Sequence, residues 1–297
     1  MLITSASLEA LRVGFKTHFQ SGFAGVPSMR DRVSTRVDSA DMEERYGWIG
    51  ELPEVREWIG PRVVHSLKEH DYAIREKAWE LTLAVPRRNI ETDKLGTFAA
   101  RFQMFGESTG RKWETLVWQA LKDGFATECY DGQFFFDSDH PVLAADGSAT
   151  TVSNTGGGSG TPWFLIDTSR MLKPIILQVG KDFAFVSKDR PTDDNVFNNA
   201  EFVYGADGYG NVGYGLWQTA YGSKQTLDAS SYATARAGMM GMTGDYGKPL
   251  GIVPNLLVVP PALESAGRKI LNSEYGTGGV TNEWKGTAEL LVVPWLA

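Results

Sequence analysis

The chain has 297 residues, enough for about two domains or one large one; with 42% apolar and 22% charged residues, wholesale disorder is excluded. Lys and Arg total 29 and Asp and Glu 36, a net charge of −7 that argues against a surface gripping nucleic acid throughout. A single cysteine, Cys129, excludes an intramolecular disulfide and a Cys-rich zinc site, and no apolar run approaches the ~18 residues of a membrane span.

The N-terminus, MLITSASLEALRVGF, lacks a basic region followed by an apolar core. No signal peptide is therefore expected, and synthesis in the cytoplasm is. Residues 7–23 predict a helix, because Leu8, Leu11, Phe15 and Phe19 share one face. Ser7 suits its N-cap, and Gly22, Gly25 and Pro27 suit its exit. Residues 28–45 alternate charges and offer few apolar anchors, so they read as an extended arm that does not fold alone.

Residues 46–86 predict a long hairpin. Trp48 and Trp58 lie among glycines, residues 62–67 suit one strand, and Trp79, Leu81, Leu83 and Val85 alternate as in a half-buried second strand. Such a hairpin needs a partner for its apolar face. Residues 93–123 carry the strongest helix signal. Leu95, Phe98, Phe102, Phe105, Trp113, Leu116, Val117, Ala120 and Leu121 keep its rhythm, Thr92 or Asp93 suits its N-cap, and Gly124 ends it. At 1.5 Å per residue it would be ~45 Å long, a spine for the molecule. Gly106 and Gly110 should weaken its middle by roughly 1 kcal/mol each relative to alanine.

Residues 144–162, with Gly156-Gly157-Gly158 and Gly160, read as a flexible loop. Strand-like runs follow at 163–166, 175–179, 201–204 and 214–219, the last two joined by a glycine-rich turn. The C-terminal part has an α/β rhythm. A helix capped by Asp228 runs to Met242, a buried strand spans 256–259 and a second helix spans 262–271. A glycine-rich loop at 272–286 leads to a closing strand at 290–293.

Gly208, Gly210 and Gly213 match GxGxxG, but the residues after them favour a strand where a dinucleotide site needs a helix N-terminus. Turn glycines are the better reading. Cys129, Asp137, Asp139 and His140 lie close in sequence without a recognised metal-ligand spacing, and Asp-His-Pro is good turn chemistry. His65 and His70 are badly spaced for pairing, and no GxSxG elbow is present. No catalytic, metal or cofactor site is assigned.

An arm and an unpaired hairpin are liabilities in a monomer and make sense when a neighbouring copy covers them. Beyond this, the segments YGWIGELPEVREWIG, VPRRNIETDKLG, FFDSDHP, PWFLIDTSRMLKPIILQ and GYGLWQTAYGSKQTL resemble the major head protein of Mu-like phages and prophages. PNLLVVPPALESAGRKILNSE and GTAELLVVPWL are similar too, so the resemblance spans nearly the whole chain.

That resemblance implies an α+β, Hong Kong 97-like capsid fold. Its expected parts are an N-terminal arm at 1–47, an extended hairpin loop at 48–90, a peripheral domain at 91–226 with the spine helix at 93–123, and an axial domain at 227–297. It implies a structural subunit, not an enzyme, that forms hexamers and pentamers of an icosahedral head enclosing double-stranded DNA. Implied partners are other copies of the chain, a separate scaffolding protein, a portal and decoration proteins, with only weak contact to DNA and none to a membrane. The implied location is the virion, with assembly in the bacterial cytoplasm. Expected subunit-interface residues are Trp48, Trp58, Trp79, Arg87, Arg88, Tyr275 and Trp284, the alternative for each tryptophan being the chain's own core. A tail tube subunit and a nucleotide-binding α/β enzyme are the other readings of the chain.

Overall fold

A computed structural model describes residues 5–46, 72–92 and 96–297. In chain order its elements are α1 (Ser5–Ala24), β1 (Ser34–Asp38), β2 (Glu43–Arg45), β3 (Ala73–Arg75), β4 (Lys77–Pro86), α2 (Arg87–Glu91) and α3 (Thr97–Asp123). Next come β5 (His140–Leu143), β6 (Ala149–Val152), β7 (Thr155–Gly158), β8 (Trp163–Ile166), β9 (Ile175–Lys188), α4 (Asp194–Asn199) and β10 (Glu201–Tyr214). The chain closes with β11 (Ala220–Lys224), α5 (Ala229–Met240), β12 (Leu256–Val259), α6 (Glu264–Leu271) and β13 (Glu289–Val292).

The helix α3 is the spine that its apolar rhythm predicts, and it serves two cores. Its first half puts Phe98, Phe102 and Phe105 against Phe15 and Phe19 of α1 and Phe202 and Tyr204 of β10. Phe15 stacks on Phe102 with ring centroids 4.1 Å apart, and Tyr204 meets Phe102 edge-on at 4.9 Å. Its second half buries Trp113, Val117, Trp118 and Leu121 in the main core. The helix starts at Thr97 behind Gly96, and Thr92 instead ends α2, donating its N–H to the Arg88 carbonyl.

The glycines of α3 have a different role from the expected weak points. A Cβ on Gly106 would collide with the carbonyl oxygen of Phe19, and one on Gly22 with that of Gln103. The two helices touch backbone to backbone there, which only glycine permits. The first helix is therefore fixed to the spine and is no part of a free arm.

Four strands form one sheet in the order β1-β9-β10-β4. The strand β1 runs parallel to β9, from Ser34↔Ile175 to Asp38↔Val179. This corrects the expectation for residues 28–45: much of that segment has its partner within the same chain. The strand β4 pairs with β10 from Pro86↔Glu201 to Lys77↔Gly210. Residues 77–86, assigned to the extended loop, are thus a sheet edge. The strand expected at 62–67 lies outside the described residues, as do Trp48, Trp58, His65 and His70.

The glycine-rich turn expected between 204 and 214 is also corrected. It is the interior of one 14-residue strand, β10. A Cβ on Gly210 would stand 3.0 Å from the Trp113 ring, and one on Gly213 would collide with Ile74. The glycines make room for these side chains; they do not turn the chain.

A second sheet has the order β13-β12-β8-β11-β7, with the β12–β13 and β11–β7 pairs parallel and the other two antiparallel. All residues of β8 and β12 are buried, as central strands covered on both faces require. The loop expected at 144–162 contains β6 and β7. Its glycines let β7 press on β11, a Cβ on Gly156 standing 2.6 Å from Ser223 Oγ. This sheet joins strands from both sides of the expected boundary at 226/227, so that boundary cuts through a continuous layer. Asp228 caps α5 in a reciprocal capping box with Ser231, as its sequence predicts.

Candidate assembly surfaces

Two buried or half-buried carboxylates fix the N-terminal segment to the body. Glu114, on α3, has a fully buried side chain. It accepts hydrogen bonds from Arg30 Nη1 at 3.0 Å, from the Met29 N–H at 3.2 Å, from the Arg30 N–H at 3.1 Å and from Trp118 Nε1 at 2.9 Å. Four such bonds with one charged partner are what an ionised carboxylate needs in a core. Asp182, on β9, accepts from Trp113 Nε1 at 2.9 Å and from Arg36 Nη1 at 3.1 Å. Burial alone would raise its pKa, but the Trp113 and Arg36 hydrogen bonds, the Arg36 charge and the Phe183 N–H together hold it below the usual carboxylate range. On the surface, Arg32 grips Glu289 with both guanidinium nitrogens, at 3.0 and 2.7 Å.

Sequence reasoning did not single out Glu114 or Asp182. The available signal for Glu114 was a carboxylate inside the apolar stripe, one residue after Trp113 and four before Trp118.

The expected interface residues fall into two groups. Trp79 packs within its own chain: its Nε1 donates to the Gly210 carbonyl at 2.9 Å, and Lys112 Nζ stands 3.6 Å above its ring. Trp284 is half-buried and meets Tyr232 edge-on at 5.7 Å. Each has partners within its own chain. Arg87 is half-buried and Arg88 exposed at the start of α2, where the Arg87 N–H donates to the Ala200 carbonyl at 2.8 Å. Tyr275 is 62% exposed and lies next to Val280, 64% exposed, in the loop that a Tyr275↔Thr281 bridge closes. Other large apolar side chains face solvent at Met171 and Phe197.

The histidine cluster assembles differently from its sequence neighbourhood. Residues 127–135 form a tight hairpin, with Gly132 at φ 84° in the turn and the Cys129 N–H bonded to the Gln133 carbonyl. It carries Cys129 and Asp131 to His140, at the start of β5. His140 Nδ1 lies 2.7 Å from Asp131 Oδ2, and Cys129 Sγ lies 3.1 Å from Asp131 Oδ1. Burial and the neighbouring Asp131 charge push the Cys129 thiol well above its ordinary pKa. His140 stacks on Trp217 at 3.9 Å with nearly parallel rings. Asp137 and Asp139 stand outside this trio; Asp131 is the acid that belongs to it. The GxGxxG glycines lie within β10, and only a single 3-10 turn at Trp217–Thr219 separates it from β11, so no α-helix N-terminus follows them as a dinucleotide site needs. No helix among the described residues is long and apolar enough to cross a membrane.

A spine helix shared by two cores, a four-stranded sheet and a second mixed sheet compose the Hong Kong 97-like architecture, the fold of phage major capsid subunits. The solved procapsid of bacteriophage JBD30 superposes with a TM-score of 0.85 at 38% identity, covering 99% of this chain and 100% of that one. The JBD30 capsid gives 0.80 at 29% identity over the full length of both chains. The profile of the family "Mu-like prophage major head subunit gpT" matches residues 8–296, and the chain belongs to that family. It is 38% identical, over all of both chains, to the major capsid protein of Escherichia phage Mu. It is 39% identical to the Mu-like prophage FluMu major head subunit of Haemophilus influenzae, covering 95% of each.

The protein is a major subunit of an icosahedral phage head. It is a structural protein, not an enzyme, and works in the virion as one copy of a self-assembled lattice. The tail tube and nucleotide-binding readings are set aside.

Proposed function

We propose that the chain closes into hexamers and pentamers through head-to-tail contacts, and that these rings form the shell around double-stranded DNA. Heterologous contacts of this kind close by rotation. The observation that carries this reading is the pair of exposed apolar side chains, Tyr275 and Val280, at the tip of the 272–286 loop. Large apolar groups exposed in one loop suit contact with a like surface.

In this reading the peripheral domain comprises α1, α3 and the four-stranded sheet. The axial domain comprises the five-stranded sheet with α5, α6 and the 272–286 loop, drawing residues from both sides of position 227. The extended loop lies within residues 48–90, with Trp48 and Trp58 as anchors on a neighbouring subunit. Arg87 and Arg88 contribute polar contacts near its base. A separate scaffolding protein, a portal and decoration proteins are the further partners, DNA is touched weakly, and assembly takes place in the bacterial cytoplasm. The neighbour solved as a "capsid … decorated with minor capsid protein trimers" supports the decoration partner by analogy.

The test is Trp58→Ala. A soluble subunit with a lower yield of shells is expected. Normal yield together with normal shell heat stability argues against the anchor.

A further inference from the structure

The side chains of His140 and Asp131 are buried together, and their hydrogen-bond logic with Cys129 is unusual. Asn154, fully buried, fixes one end of the trio. Its Nδ2 faces the carbonyl oxygens of Phe135, Trp217 and Ala220 at 2.8, 3.2 and 3.2 Å, while its Oδ1 accepts the Asp137 N–H at 2.9 Å. The amide cannot be reversed without setting donor against donor and acceptor against acceptor. The oxygen is therefore the atom that faces His140 Nε2, at 3.2 Å, and Nε2 must carry a proton.

His140 Nδ1 is then the ring nitrogen that faces Asp131 Oδ2, 2.7 Å away, where the two atoms can share a proton or a metal ion. Cys129 Sγ sits on the other oxygen of the same carboxylate, and one ligand atom from each of the three residues lies within 4.8 Å of the others.

We propose that this trio is a zinc-class metal site, with Cys129 Sγ, Asp131 carboxylate and His140 Nδ1 as ligands. Sulfur, imidazole nitrogen and carboxylate oxygen are the donor set of such an ion. The Nε2–H···Oδ1 bond to Asn154 is the outer support that metal-binding histidines use, and the Gln133 N–H to Asp131 Oδ1 at 3.0 Å supports the second ligand. Thiolate, carboxylate and divalent ion together carry no net charge, which suits a buried position. On loading, the thiol proton and the proton shared by Asp131 and His140 both leave to solvent, and the thiolate and the freed Nδ1 lone pair bind the ion. Donors around zinc stand roughly 3.3–3.7 Å apart, so Nδ1 and Oδ2 would open by ~0.6 Å or more. The ion would staple the 127–135 hairpin to β5 and to the Trp217 wall.

The test uses the full-length protein, as subunit and as assembled shell, first loaded with zinc and then exchanged with cobalt(II). About one zinc per chain after dialysis is expected, together with a thiolate-to-cobalt charge-transfer band. Both should be lost in Cys129→Ala, a substitution mild enough for a small buried side chain to leave the fold intact. A strong chelator should lower the Tm of the wild type and leave that of Cys129→Ala unchanged. Folded wild-type protein that takes up neither metal overturns the proposal and leaves a proton between Asp131 and His140. Cys129→Ala that retains about one tightly bound zinc per chain also overturns it.

Discussion

Glu114 and Arg30, 84 positions apart in sequence, form an ion pair at 3.0 Å, its carboxylate buried and its guanidinium half-buried, that joins the N-terminal segment to the spine helix. The same carboxylate also holds the backbone N–H groups of Met29 and Arg30 and the indole of Trp118. Glu114→Gln keeps the shape, removes the charge and turns an amide donor towards these donors. The expected loss is ~3 kcal/mol, because the half-buried Arg30 loses its buried counter-charge while the new amide N–H group opposes the remaining donors. Urea unfolding of the purified subunit measures it, and a loss under ~1 kcal/mol would mean that the pair does little.

Arg32 and Glu289 make a bidentate pair at the surface, with side chains 40% and 62% exposed. Water screens both charges. Arg32→Ala should therefore change stability by less than ~1 kcal/mol, and the difference should shrink further in high salt. A loss as large as that of Glu114→Gln would mean that burial does not set the strength of these pairs.

Helix propensity and packing make opposite forecasts for Gly106. Propensity alone gives Gly→Ala a gain of roughly 1 kcal/mol in a helix interior. Contact with the Phe19 carbonyl should reverse the sign, to a loss of about 1–3 kcal/mol as α1 is pushed off α3. Gly14, in the middle of α1, has nothing within 4 Å of a built Cβ and is the control. Gly14→Ala should stabilise while Gly106→Ala destabilises; equal shifts in Tm would rule out the close helix contact.

Asp182 predicts a specific acid sensitivity. Its folded pKa is depressed, so its contribution is complete above the unfolded carboxyl value of ~4 and is lost as pH falls through the folded value. Asp182→Asn should flatten the decline of Tm below about pH 4 and leave the slope between about pH 5 and 7 unchanged. An acid limb of equal steepness in the variant would show that Asp182 is not the group responsible.

The parts of the fold legible in the sequence are those set by local rules. The apolar period of α3, the Asp228 capping box and the apolar runs of β8 and β12 each carry their own signal. Where distant residues decide, local signals mislead. The glycines at 205–213 look like a turn because glycine favours turns, yet Trp113 and Ile74 claim the space above a continuous strand. The 28–45 segment looks partnerless because its partners, Glu114 and β9, lie far along the chain. At the histidine cluster, proximity in sequence suggested Asp137 and Asp139, whereas the 127–135 hairpin delivers Asp131.

The central claim is that this chain reaches its working form only among copies of itself. Electron microscopy of the concentrated full-length protein, produced with and without the other head proteins of its phage, tests it most directly. Closed shells are expected, with the extended loop within residues 48–90 of each subunit lying across a neighbour. Solitary subunits under both conditions, or shells in which that segment touches only its own chain, would contradict it.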